Sequence, residues 1–157
     1  IFSMNHRSIV PKEFIVPEVF KTEEFILKPL TIRHLLKDFE AVTSSATHLK
    51  GLMEKHNDWP VGLTIEENLI DLGWHQREFS LRYSFAYTVL SLTESQCLGC
   101  CYIYPSQKPE FEVDAFYWIR QDLLASGLQE RLGKAFKTWL KKEWPFTKIS
   151  FPDSTKR

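Results

Sequence analysis

Long apolar runs are missing from this 157-residue chain, and so is any excess of charge. No stretch approaches the roughly 18 apolar residues that a membrane-spanning helix needs, so no membrane span is expected. The N-terminal "IFSMNHRSIVPKEFIVPEVF" carries charges and prolines throughout, unlike the apolar centre of a signal peptide. Twenty basic side chains balance twenty acidic ones, leaving no whole-chain field to recruit nucleic acid or an anionic membrane. Gly-x-Ser-x-Gly, Walker and zinc-protease patterns are absent. Cysteine is scarce: Cys97, Cys100 and Cys101 all fall within "CLGCC". An odd count in one short segment is not a disulfide framework, and a reducing, cytoplasmic location is expected. Cys97-x-x-Cys100 has the spacing of half a zinc site, but no second such pair and no paired histidines follow. Buried structural cysteines with no metal are the reading, with metal or redox chemistry as the alternative.

What is present suffices for one packed core. The chain is 43% hydrophobic and 14% aromatic, far from a disordered composition. The reading is an irregular N-terminal arm over residues 1–23, with Pro11 and Pro17, followed by a single domain over 24–157. "EFILKPL" (24–30) reads as a short strand. "TIRHLLKDFEAV" (31–42) reads as a helix capped by Thr31, with Ile32, Leu35, Leu36, Phe39 and Val42 on its apolar face, and "SATHLKGLMEKH" adds a turn or two. "NDWPVG" is a loop. Thr64 and Glu67 form a capping box that starts a helix whose buried stripe includes Leu69, Leu72 and Phe79. "SFAYTVLSL" (84–92), "CLGCCYIYP" (97–105) and "FEVDAFYWIR" (111–120) then make an antiparallel meander, with a hairpin turn at "TESQ". A long helix follows, carrying Leu124, Leu128, Leu132, Ala135, Phe136, Trp139 and Leu140 at helical spacing and stopped by Pro145. "KISF" (148–151) is a last strand, joined by a crossover that makes its pairing parallel.

This order, and the segments "EFILKPLTIRH" and "FYWIRQD" in particular, resemble the GNAT superfamily of acyl-CoA N-acyltransferases. The branch that acetylates ribosomal-protein N-termini has similar opening and pre-helix segments, while "LTIEENLIDL", "SFAYTVL", "LGCCYIYP" and "WLKKEWPF" resemble an uncharacterised bacterial subgroup. The resemblance implies an α+β fold, a mixed and mostly antiparallel sheet with helices on both faces. It implies N-acetyl transfer from acetyl-CoA, as co-substrate, to a small-molecule or peptide amine. The alternative is an inactive binding module of the same fold, holding an acyl-CoA or a protein partner; a homodimer covering an open sheet edge is a third reading.

The resemblance also carries site residues. In this superfamily the fourth and fifth strands splay, and the pantetheine arm of acyl-CoA pairs with the exposed backbone like an extra strand. Tyr117, Trp118, Ile119 and Arg120 would supply those contacts, and the pyrophosphate would rest at the next helix N-terminus, on Ala125, Ser126, Gly127 and Leu128. The family pattern Q/R-x-x-G-x-G/A falls on residues 122–127, where Asp122 and Ala125 depart from it and Gly127 fits. An S-x-x-Q box at Ser126 and Gln129, or a helix starting at Asp122, would leave no phosphate cradle. Amine attack on a thioester needs a base. Alternation places Glu112, Asp114, Phe116 and Trp118 on one strand face, and Asp114 matches the carboxylate of the related pattern; Glu112 is the second candidate. Tyr102, Tyr104 and Tyr117 read as ordinary strand aromatics, with a leaving-group acid among them as the alternative. Trp59 is either a substrate platform or a loop anchor.

Overall fold

The computed structural model describes residues 7–52 and 58–152. Six strands lie in sequence order across one sheet: β1 (Phe20–Lys21), β2 (Phe25–Pro29), β3 (Phe85–Ser91), β4 (Cys97–Pro105), β5 (Val113–Ile119) and β6 (Ile149–Ser150). The first five pair antiparallel, and β5 and β6 pair parallel through the crossover. The helices are α1 (Leu35–Ser44), α2 (Ala46–Leu49), α3 (Ile65–Leu81) and α4 (Leu128–Glu143). Residues 53–57, which include the start of the "NDWPVG" loop and part of the "SATHLKGLMEKH" segment, lie outside the described residues.

Alternation along each strand sends side chains to two separate cores. Val113, Ala115, Tyr117 and Ile119 of β5 face α4, which lays Leu128, Leu132, Phe136, Trp139 and Leu140 onto the sheet. Phe116 and Trp118 face the other way, toward α1 and α3. Helices on both faces of a mostly antiparallel sheet are thus present as expected.

The α3 capping box is made in full: the Glu67 amide donates to Thr64 Oγ1 at 3.1 Å, and the Thr64 amide donates to Glu67 Oε1 at 2.9 Å. The expected apolar stripes on the first helices are partly wrong. Leu69 is 40% exposed, and Leu36 is 73% exposed, whereas Asp38, Asn68 and Ser45 are buried. Hydrogen-bond partners supplied by the sheet and the neighbouring helix override the apolar pattern there.

The N-terminal arm is also more than irregular chain. Its end forms β1, with Phe20 stacked on Trp139 at 4.8 Å between ring centroids. Val10 is buried in the α4-side core, and the Tyr87 hydroxyl donates to the Pro17 carbonyl at 2.6 Å. Arg82, at φ 65° past the end of α3, donates one guanidinium nitrogen to the carbonyls of Pro11 and Phe14 at 2.7 and 2.8 Å. These contacts fasten the described part of the arm, residues 7–23, to the body of the fold.

Candidate active site

The site is built at the far end of β5. There β6 pairs only with Val113 and Asp114, so β5 continues through Ile119 with no strand on that side among the described residues. Which backbone groups face this open edge follows from the β4 register. The Arg120 amide donates to the Leu98 carbonyl at 2.9 Å, and Trp118 lies opposite Cys100. In an antiparallel ladder every second residue bonds the same neighbour. Trp118 and Arg120 therefore spend their backbone groups on β4, and Ala115, Tyr117 and Ile119 turn theirs to the open edge. Of the four residues expected to offer backbone contacts, Tyr117 and Ile119 are oriented to do so. Trp118 and Arg120 are not, whereas Ala115, outside those four, also turns its backbone groups to the open edge, a parity that only the register sets.

Gly99 is what allows β4 to lie so close at this point. A Cβ there would collide with the Trp118 carbonyl oxygen. On the other face Gly133 of α4 plays a similar part, because the Tyr117 hydroxyl occupies the space its Cβ would need. The tyrosine ring thus sits under α4, away from Asp114.

After β5 the chain enters a 3₁₀ turn (Gln121–Ser126), breaks at Gly127 with φ 82°, and only then starts α4. The helix does not begin at Asp122. Nor does the S-x-x-Q box form: Ser126 Oγ accepts from the Leu128 amide at 3.2 Å and donates to the Leu123 carbonyl at 2.6 Å. Gly127 is the residue before the helix and supplies no side-chain cap. The first-turn amides of Gln129 and Glu130 consequently have no carbonyl of the same helix to receive them, which is the arrangement that suits an anion. Arg131 lies over this turn, donating to the Ser126 carbonyl at 3.0 Å while pairing with Glu24 at 2.6 Å.

Asp122, the acid at odds with a phosphate cradle, is already paired. Arg120 Nε donates to its Oδ1 at 2.6 Å, and that contact holds its pKa below the ordinary range. The same buried guanidinium makes a two-pronged contact with Glu40 of α1 at 2.7 and 2.8 Å and reaches the Cys97 carbonyl at 3.1 Å. Bonding to Glu40, first of all, pushes the Arg120 pKa up. Two further bonds tie this turn to the α1–α2 elbow: the Gln121 amide donates to Ser45 Oγ at 2.9 Å, and the His48 amide donates to Gln121 Oε1 at 3.2 Å. Glu40, Ser45 and His48 carry no local sequence signal for this role, since the contacts span more than 70 residues.

The two carboxylates proposed as bases part company. Glu112 Oε1 accepts from the amides of Thr147 and Lys148, both at 2.8 Å, and from Thr147 Oγ1 at 3.1 Å. The bond from the Lys148 amide, then that from Thr147, lowers its pKa, so it anchors the approach to β6 and is a weak base. Asp114 is half-buried at the fork itself, opposite Ser150 on β6 and Tyr104 on β4. Tyr104 shares its face, and burial drives that phenol's pKa up, which keeps it a proton donor. Tyr102 is committed elsewhere, accepting from Trp118 Nε1 at 2.9 Å. Trp59 packs against the α1/α3-side core, in the manner of a loop anchor.

No protein-family pattern and no curated protein matches the chain. Solved structures do. An acetyltransferase from Bordetella pertussis designated as GNAT-family superposes with a TM-score of 0.63 at 14% identity, covering 80% of this chain and 74% of its own. A ribosomal-protein-serine acetyltransferase from Vibrio cholerae gives 0.68 at 14% identity, covering 86% and 74%. A microcin self-immunity acetyltransferase in complex with acetyl-CoA and AMP gives 0.60 at 10% identity, covering 79% and 67%. These likenesses show that the chain has the fold of the GNAT acetyltransferases.

Proposed function

We propose that this protein is an N-acetyltransferase that moves an acetyl group from acetyl-CoA to a primary amine, either a small molecule or a peptide. The observation that carries the reading is the fork: an open β5 edge beyond Asp114 that leads to the free first-turn amides of α4. An extended pantetheine arm would pair with the backbone of Ala115, Tyr117 and Ile119, much as a strand added to a sheet edge does. Its pyrophosphate would then meet Gln129 and Glu130, with Ser126, Gly127 and Leu128 shaping the turn and Ala125 inside the 3₁₀ segment. Arg120 offsets part of the repulsion that Asp122 would otherwise exert on the anion, its charge being shared with Glu40.

At the fork, Asp114 accepts a proton from the attacking ammonium, directly or through a water. The amine lone pair adds to the thioester carbonyl, the C–S bond breaks, and the thiolate takes a proton from the Tyr104 hydroxyl or from solvent. Since thiolates leave well, the acid is the lesser requirement. The Vibrio cholerae neighbour is designated for a ribosomal-protein serine, which makes a peptide N-terminus the first acceptor to try. Reaction with acetyl-CoA fits a cytoplasmic enzyme; among the described residues no helix is long and apolar enough to cross a membrane.

Calorimetry with acetyl-CoA and a thiol-release assay over peptide and small amines test this reading. Micromolar binding and amine-dependent release are expected, with Asp114→Ala losing about 100-fold in kcat while binding acetyl-CoA normally. Binding without turnover of any amine would replace the enzyme by a binding module. Failure to bind would remove both.

A further inference from the structure

The α1/α3 side of the sheet holds a second group of reactive side chains, away from the fork. Cys97 and Cys100 are three residues apart on β4, a spacing that in a regular strand sends them to opposite faces. The β3–β4 register shifts here: Val89 pairs with Gly99 but Leu90 with Cys97, so Leu98 is an extra residue. This bulge brings both cysteines into the α1/α3-side core, while Leu98 and Cys101 go to the other. Asp38 of α1 comes down on the pair, with its Oδ1 at 3.6 Å from Cys100 Sγ.

We propose that Asp38, Cys97 and Cys100 form a site for a thiophilic divalent cation, zinc being the occupant that the donor set fits best. The three donor atoms lie within 4.8 Å of one another and all three residues are buried. A tetrahedral zinc with one oxygen and two sulfur ligands would hold oxygen and sulfur about 3.6 Å apart, given bond lengths of about 2.1 and 2.3 Å. The observed Asp38–Cys100 separation is that distance. Asp38 has no cationic side chain bonded to it among the described residues, and buried carboxylates are ordinarily paired or coordinate metals.

The surroundings are those that orient ligands. Asn68 Nδ2 donates to Asp38 Oδ2 at 3.0 Å, which leaves Oδ1 for the site, and Thr88 Oγ1 lies 3.5 Å from Cys97 Sγ. The Gly99 carbonyl oxygen, 3.3 Å from Cys97 Sγ, is a neutral candidate for the fourth donor. Zinc would displace the two thiol protons to solvent, and the cation, two thiolates and one carboxylate would carry a net single negative charge. Arg120 donates to the Cys97 carbonyl at 3.1 Å, with its own charge already shared between Glu40 and Asp122. Because both thiols are fully buried, the ion would enter as the chain folds rather than into the finished protein.

The test is to unfold the full-length chain in chelator, refold it with cobalt(II), and follow thiolate-to-cobalt charge-transfer absorption. One equivalent per chain is expected, weakened at least tenfold in Cys97→Ser, Cys100→Ser and Asp38→Asn. Cys101→Ser, whose thiol lies on the opposite face, should bind like wild type. Should the site variants fail to refold, X-ray absorption of the zinc-loaded wild type decides, with a shell of two sulfurs per zinc expected. Refolded protein without cobalt absorption, binding that survives loss of either Cys97 or Cys100, or a zinc shell lacking sulfur would each overturn the proposal. Acetyl-CoA binding by the same preparations is read separately, so failure of this site leaves the fork untouched.

Discussion

On one side of the sheet α4 presses Leu128, Leu132, Phe136, Trp139 and Leu140 onto a bed of aromatic and aliphatic side chains. On the other, Asp38 of α1, Ser45 between α1 and α2, and Asn68 of α3 are among the buried residues. The first face is held mainly by apolar area, which needs no particular partner. The second depends in addition on pairing its buried polar groups, such as Asn68 with Asp38, since leaving one unpaired costs more than the bond gains. Both faces flank the same strand, β5, and so position the fork jointly: α4 supplies the amides at its start, and Glu40 of α1 with Ser45 at the α1–α2 elbow grips the turn.

The largest effect should come from thinning the apolar face. Phe136 is fully buried and touches the Tyr117 and Trp139 rings at 6.2 and 6.3 Å between centroids. Phe136→Ala should cost about 3 to 5 kcal/mol in urea unfolding. A loss below about 1 kcal/mol would mean that this face repacks freely, and the contrast with its polar counterpart would fail.

Next comes the polar face. Asn68→Leu keeps the side-chain volume close to native but removes the donor that Asp38 Oδ2 accepts from. It should cost about 2 to 3 kcal/mol despite being the more hydrophobic sequence. A stabilised Asn68→Leu protein would show that apolar area, not pairing, holds both faces.

The contrast also explains what could be read from the chain alone. The α4 face was legible, except that Leu124 lies in the 3₁₀ turn before the helix, because helical spacing from Leu128 to Leu140 and the stop at Pro145 are local signals, and the crossover then dictated parallel pairing. The α3 start was legible because a capping box is written within four residues. Burial of Asp38 was not, because its donors come from residues 68 and 100. The bulge at Leu98 leaves no mark in "CLGCC", yet it decides that Cys97 and Cys100 share a face. At the fork, Asp114 and Gly127 could be placed from a pattern. Separating Tyr117 and Ile119 from Trp118 and Arg120 required the register, and Glu112 was misjudged because the 147–148 turn that occupies it is distant in sequence.

Acid should probe the polar face more gently. His75 of α3 lies between Trp74 and Tyr102, and its Nδ1 has no hydrogen-bond partner among the described residues. Burial lowers its pKa to about 4. A histidine depressed in the folded state contributes stability that is whole above the unfolded value, near 6.5, and is lost as pH falls toward the folded one. Because the ring keeps some exposure, we expect that loss to be about 2 kcal/mol between pH 7 and 4. His75→Phe should remove that part of the acid slope; an unchanged slope in denaturant titrations at several pH values would assign it to other groups.

The smallest effect should fall where the first helix breaks its own pattern. Leu36 occupies a position that helical spacing alone assigns to the core, yet it is 73% exposed, because the turn of α1 is set by Asp38, Ala41 and Val42 pointing inward. An exposed leucine loses little on becoming polar, so Leu36→Ser should change stability by less than about 0.5 kcal/mol. The companion change Val42→Ser, one and a half turns on and 1% exposed, should cost about 2 kcal/mol or more by leaving a hydroxyl among apolar groups. If the two variants instead lost the same amount in thermal unfolding, α1 would be rotated from the orientation that brings Asp38 onto β4. The polar side of the comparison would then have to be redrawn from Leu36 outward.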